Sequence, residues 1–283
     1  MTQPVMVVDC NYLCHRARFT TGAMEYEGRL TGVIYGFLSQ MHVLSQELAP
    51  SNVVFTWDSK SSLRRDRFPF YKNGRKKQVD PDIEQHYRQF DELRQQILPE
   101  MGFKNNFMQD GFEADDIIAS ITNNLQCKTV IASSDEDLFQ LLTRKTSMYN
   151  LKKRTLLTWK GLYSEKGITP RKWVEVKKIA GCSGDGVPGI VGVGEKTAID
   201  YLRNKLKSNS KKTKDIESAE GQAVIQRNDW LVRLPLPGTP TYQIQNNQFN
   251  VQELKRVCKY YGFKKFTNNE AFFEDWRIYF EHT

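Results

Sequence analysis

A parallel β-sheet flanked by helices is predicted by three observations. Short β-forming runs recur along the chain as far as Asp135, each closes on or near a carboxylate, and helical patterns separate them. The runs are Val5-Met6-Val7-Val8 before Asp9, Val53-Val54-Phe55-Thr56-Trp57 before Asp58, and Thr129-Val130-Ile131-Ala132 shortly before Asp135. The helical patterns include Val33–Leu48 and Ile83–Met101. In a parallel sheet of this kind, functional groups gather in the crevice outside the carboxyl ends of the strands. Asp9, Asp58 and Asp135 fall there. A single Asp at such a place is ordinarily a helix cap or turn residue, but three independent cases are poorly explained that way.

The remainder of the chain has a different texture. Beyond about residue 160 the pattern is one of short helices and glycine turns, which sets an expected boundary between a core (1–160) and a helical subdomain (161–283). Two stretches are strongly basic: Lys60–Lys77, with eight basic residues against Asp66, and Lys196–Lys214, with seven against Asp200. Within the second, Ser208-Asn209-Ser210-Lys211-Lys212 reads as a mobile, solvated loop. The whole chain of 283 residues carries 41 Lys and Arg against 33 Asp and Glu, a net charge of +8 that favours a polyanionic partner.

Several classes are disfavoured. The five cysteines are odd in number and scattered, and neither they nor the four histidines have zinc-site spacing. Free thiols and a cytosolic setting are expected. No apolar stretch approaches the roughly 20 residues of a membrane helix, and no signal-peptide pattern opens the chain. His15, His42, His86 and His282 read as ordinary polar residues.

Two acidic segments sharpen the chemistry. Glu113-Ala114-Asp115-Asp116 precedes an apolar helix, and Asp135-Glu136-Asp137 opens another after the third strand. The helix dipole accounts for one or two acids in a first turn, not for two tight groups joined by Asp9 and Asp58. Carboxylates that close repel one another unless divalent cations neutralise them. All-oxygen sites suit Mg²⁺ or Mn²⁺, and two such ions about 3.5–4 Å apart form a phosphodiesterase centre. No Ser–His or Cys–His pair has comparable support.

At this point a resemblance becomes specific. Glu113-Ala114-Asp115-Asp116, Ser134-Asp135-Glu136-Asp137 and the run from Gly184 to Ala198 resemble, in order and spacing, the successive signatures of the flap endonuclease and 5′→3′ exonuclease family. A weaker likeness continues through Arg227–Val232 and from Glu253 to Phe263. The resemblance implies a PIN-like nuclease core with a helix–three-turn–helix (helix-hairpin-helix) DNA-binding subdomain, and a monomer without a polymerase domain. It implies a first metal on Asp9, Asp58, Glu113, Asp115 and Asp116, and a second on Asp135, Asp137 and Asp185, with Asp115 serving both. It also implies that Arg64, Lys72 and Arg75 contact the scissile phosphate or the 5′ strand below an arch spanning 60–92, and that Tyr71 stacks on the terminal base.

In the same resemblance Val187–Ala198 is the hairpin that grips duplex phosphates. Gly192 and Gly194 permit close backbone approach, the helix-start amides face phosphate, and Lys196, Lys211 and Lys212 add charge. A K⁺ ion on hairpin carbonyls such as those of Val191 and Val193 belongs to that picture. One departure stands out: many relatives have Gly-Asp-x-Ser-Asp-Asn where this chain has Gly181-Cys182-Ser183-Gly184-Asp185-Gly186. The expected activity is two-metal cleavage of branched or 5′-ended DNA, including primer–DNA hybrids, in a bacterium or a phage-infected cell. A replicative polymerase or a single-strand-binding protein is the expected protein partner. The rival readings are a PIN-type endoribonuclease and a structure-specific DNA-binding protein with a decayed metal site.

Overall fold

The computed structural model describes residues 3–74 and 80–281. In chain order the first half contains β1 (Val5–Asp9), α1 (Cys10–Thr21), the short hairpin β2 (Glu25–Tyr26) and β3 (Arg29–Leu30), and α2 (Gly32–Leu48). Next come β4 (Asn52–Trp57), α3 (Leu63–Arg67), α4 (Ile83–Glu92), α5 (Leu98–Glu100), β5 (Asn106–Met108), α6 (Ala114–Asn124) and β6 (Thr129–Ala132). The edge of the sheet is completed by β7 (Thr146–Asn150) and β8 (Thr155–Leu157).

The sheet order is β5-β4-β1-β6-β7-β8, parallel throughout except for the antiparallel last pair. All three strands read from the sequence are therefore central neighbours. Burial on both faces explains their near-continuous apolar character. Met6, Val8, Val53, Phe55, Trp57, Val130 and Ala132 face one side, while Val5, Val7, Val54, Ile131 and Met148 face the other. Because β1 lies between β4 and β6, their carboxyl ends bring Asp9, Asp58 and the 133–137 turn to one edge.

The second half supplies α7 (Trp159–Lys166), α8 (Pro170–Ala180), the small pair β9 (Gly181–Cys182) and β10 (Val187–Pro188), α9 (Glu195–Leu202), α10 (Lys211–Glu217) and α11 (Ala219–Val232). These helices cover the second face through Trp173, Val176, Ile179, Ile190, Val193 and Ala198. The chain then returns. α12 (Val251–Tyr260), α13 (Lys264–Thr267) and α14 (Glu270–Phe280) pack against α1 and α2 on the first face through Leu254, Phe272, Trp276 and Phe280. The C-terminal helices thus cover the first face of the sheet, although the expected division at residue 160 groups them with the helical half.

Residues 208–212 also differ from expectation. Ser210 caps α10, its hydroxyl accepting from the Thr213 amide at 3.1 Å, so Lys211 and Lys212 form a first helical turn, not a loop.

Candidate metal centre and nucleic-acid surface

Asp9 and Asp135 are indeed caps. Asp9 Oδ1 accepts from the Tyr12 amide at 3.0 Å, and Asp135 accepts from the Asp137 amide at 2.8 Å. Asp58 accepts from the Ala114 amide at 2.8 Å, which ties the end of β4 to the start of α6. Ser133 Oγ donates to the free side of Asp9 at 2.8 Å. Capping does not exhaust these groups, because they crowd one another. Burial, with Asp58 and Asp135 close by, pushes the Asp9 carboxyl up to about 7. Burial, with Asp135, Asp9 and Asp58 adding repulsion, pushes Asp115 well above the usual carboxylate range. Burial and then Asp137 raise Asp135 as well. Repulsion within an oxygen cluster of this kind is relieved when a divalent cation binds among the carboxylates.

Glu113 is placed differently. Burial alone would raise its carboxyl, but Lys72 and Arg64 outweigh that and hold it below its ordinary range. Lys72 Nζ lies 2.8 Å from Oε1, and the Tyr71 hydroxyl donates to Oε2 at 3.0 Å. The loop that carries these two side chains is pinned to the opposite side of the site. The Lys72 amide donates to the Asp185 carbonyl at 2.7 Å, and the Tyr71 hydroxyl also reaches Asp185 Oδ2 at 3.4 Å. Lys72 adopts φ 55°, in the left-handed region where non-glycine residues are strained. Gly186, itself at φ 67°, makes room for this loop, since a Cβ there would come within 3.2 Å of the Phe70 carbonyl.

A second group forms where the 136–141 turn meets α8. One ligand atom each from Asp137, Cys182 and Asp185 lie within 4.8 Å of one another. Trp173 Nε1 fastens this turn to α8 by donating to the Glu136 carbonyl at 2.7 Å. Lys177, from the same helix, forms an ion pair with Asp137 Oδ1 at 3.0 Å. Burial, with Asp137 and Asp185 nearby, pushes the Cys182 thiol up to about 12, so it stays protonated and donates weakly to Asp137 Oδ2 at 3.7 Å. The donor set here is two carboxylates, a neutral thiol and a facing ammonium. Such a set holds a hard divalent ion less firmly than the all-carboxylate group around Asp9 and Asp115.

Three expectations need correction. Arg64 does not face DNA: it is 1% exposed and makes a bidentate pair with Asp116, at 2.6 and 2.8 Å. Its remaining donors meet the carbonyls of Leu231 and Arg233. Asp116 is consequently not open to a metal. It is fully buried, and beyond Arg64 it accepts from the amides of Glu113 and Leu236 at 3.2 and 2.8 Å. Tyr71 is 2% exposed and packs with Val174, Val187 and Leu231, so its ring has no face to offer a base. Arg75 lies outside the described residues.

The segment read as a hairpin leads into α9. Gly192 turns at φ 71°, Gly194 precedes α9, Val191 is 91% exposed at the tip, and Lys196 and Lys211 are exposed nearby. Lys212 Nζ donates to the Gly192 carbonyl at 2.6 Å. An ammonium therefore already sits on the turn between Val191 and Val193, the residues whose carbonyls are expected to take K⁺. On the other side of the centre, a cleft of about 570 Å³ opens beside Asp58, Lys72 and Glu113 and is lined by Arg65 and Tyr87.

A model of the 5′-3′ exonuclease N-terminal resolvase-like domain matches residues 4–169, more than half of the chain. The chain belongs to the 5′-3′ exonuclease family. Its similarity to the 5′-3′ exonuclease of Bacillus subtilis (strain 168) is 32% identity over 70% of this chain and 69% of that protein. For the 5′-3′ exonuclease of Buchnera aphidicola the figures are 30%, 71% and 70%. In fold it is similar to the bacteriophage T5 flap endonuclease crystallised as a pseudo-enzyme–product complex with DNA and metal ions, with TM-score 0.68, 20% identity, and coverage of 96% of this chain and 99% of that one. Within this 5′-3′ exonuclease fold, Lys177 is the residue that sequence reading overlooked. Lys177 and Lys178 are adjacent on a basic helix, and only the helix register shows which one reaches Asp137; Lys178, equally buried, pairs with Glu175 and Asp229 instead.

Proposed function

We propose that this chain is a divalent-metal-dependent nuclease that hydrolyses DNA phosphodiesters from 5′ ends and at 5′ flaps. The observation that carries the reading is the convergence of Asp9, Asp115 and Asp135, whose carboxyls are raised by burial and by neighbouring carboxylates including Asp58, beside the pinned lysine Lys72. The first ion would be held by Asp9, Asp58, Glu113 and Asp115, and the second by Asp135, Asp137 and Asp185, with Asp115 placed between them. Two Mg²⁺ or Mn²⁺ ions bound there would supply activation of a water nucleophile and stabilisation of the leaving oxygen.

The chain's own groups do the rest. Gly192, Gly194, Lys196 and the first amides of α9 hold phosphates of the duplex, joined by Lys211 and Lys212. Lys72 neutralises the scissile phosphate, and Asp58 and Glu113 border the cleft through which the 5′ strand leaves. Metal-bound and DNA-bound forms of similar folds, and exonucleases among the relatives, support this reading. A 5′-labelled flap duplex, a blunt duplex and a hairpin RNA, each incubated with Mg²⁺ or with EDTA, test it. Cleavage of both DNAs with Mg²⁺, none with EDTA, and an intact RNA are expected. Cleavage in EDTA, or of the RNA in preference, would overturn it.

Two further results are expected. Cys182→Asp adds a carboxylate beside Asp137 and Asp185, so the Mg²⁺ concentration for half-maximal cleavage should fall several-fold, and less for the softer Mn²⁺. Metal titrations alongside melting curves check this; an unchanged Mg²⁺ midpoint in a well-folded protein would place the second ion elsewhere. Lys72→Ala should slow the single-turnover step by about 10²-fold with little loss of DNA affinity, because a cation at the reacting phosphate acts on the transition state. Replacing Lys211 and Lys212 together should do the reverse, weakening binding about tenfold and flattening its salt dependence. If both proteins respond alike, Lys72 is merely part of the basic surface.

A further inference from the structure

We infer that Lys72 is a displaceable internal cation: it occupies Glu113 when the centre holds no metal, and moves off that carboxylate when a divalent ion arrives. The inference rests on the metal-nuclease reading and adds how the centre is poised before it is loaded. Glu113 belongs to the expected ligand set of the first ion, yet Lys72 Nζ already lies 2.8 Å from its Oε1, with the Tyr71 hydroxyl 3.0 Å from Oε2. Both oxygens are thus engaged by the same two-residue segment. A carboxylate cannot keep a close ammonium and also bind a divalent ion through the same oxygen without the two cations repelling strongly at short range.

The two anchors of that segment differ in what they allow. The Lys72 backbone is fixed, its amide on the Asp185 carbonyl at 2.7 Å and its φ at 55°. The side chain is not enclosed in the same way, since Lys72 lines the 570 Å³ cleft together with Asp58 and Glu113. A pivot at the Lys72 Cα therefore lets the ammonium swing from Glu113 into the cleft without moving the loop. Displacement also places it where a substrate phosphate would lie. Loading of the centre and presentation of Lys72 to the substrate then become one event, so that the lysine reaches phosphate only in a metal-loaded protein. Arg64 cannot take part, because its bidentate pairing with Asp116 leaves it 3.7 Å from Glu113 and buried.

The test uses the full chain without DNA. Mn²⁺ binding, followed by electron paramagnetic resonance of the free ion, is compared between the native protein and Lys72→Met. Removal of the competing ammonium should tighten the first binding step by about tenfold or more. Independently, reductive ¹³C-methylation keeps the lysine charges, and the Lys72 signal is identified by its loss in Lys72→Met. In the native protein it should move on saturation with Mg²⁺ towards the position of exposed lysines. Equal or weaker Mn²⁺ affinity in the variant, or a Lys72 signal unmoved while Mn²⁺ binds, overturns the inference and leaves the nuclease reading standing. Absence of Mn²⁺ binding to either protein removes the metal reading itself, and the inference with it.

Discussion

Replacement of Asp115 by Asn is expected to lower single-turnover cleavage of a 5′-flap duplex by about 10³-fold or more, equivalent to roughly 4 kcal/mol of transition-state stabilisation. Asp115 stands in the first turn of α6 between the two carboxylate groups, and it senses Asp135, Asp9 and Asp58 all at once. A side chain so placed would serve both proposed ions, so its loss could not be compensated by strengthening either one. The amide is nearly isosteric, and removing a like charge from a repelling cluster relieves the fold. The melting temperature should therefore hold or rise. DNA affinity should be preserved as well, because a negative charge near phosphates contributes nothing attractive. The checks are single-turnover kinetics, fluorescence anisotropy with a labelled flap, and a melting curve. Near-normal turnover in a well-folded protein would remove Asp115 from the centre.

The parts of this structure that were legible in the sequence are those in which local pattern and site coincide. Strands buried on both faces are written as apolar runs, and the topology placing β1 between β4 and β6 makes their terminal acids converge. Order and spacing of the acidic segments then identified the family. What stayed hidden depends on contacts distant along the chain. Arg64, in a run of basic residues, looks no different from Arg65 or Arg67, and its partners at Leu231 and Arg233 lie on the far side of the sequence. Tyr71 is covered by α8, β10 and α11, none of which is near in sequence. The Ser210 cap carried a local signal, but the density of lysines after it obscured the short amphipathic turn that buries Thr213 and Ile216.

The burial of Arg64 leads to the second large effect, on stability. Arg64→Met should destabilise the protein by about 3–5 kcal/mol, because breaking one side of a buried ion pair leaves the other charge uncompensated. Here Asp116 would keep only the amides of Glu113 and Leu236, while the carbonyls of Leu231 and Arg233 would lose their donor. These contacts join α3, the start of α6 and the end of α11, so the loss falls on the base that positions Glu113 and the Lys72 loop. A fall in melting temperature of roughly 6–15 °C follows for a domain of this size. Arg64→Lys should recover only part of the loss, since an ammonium cannot make the forked contact that a guanidinium makes with a carboxylate. The role first expected of Arg64, a contact to DNA, predicts the opposite pattern. A phosphate contact would leave the melting temperature unchanged, weaken DNA binding and lower its salt dependence by about one unit of slope. Measured well below the melting transition, DNA affinity of the Arg64→Met protein should instead match the native value. An unchanged melting curve with reduced affinity would return Arg64 to the DNA surface and free Asp116 for the metal centre.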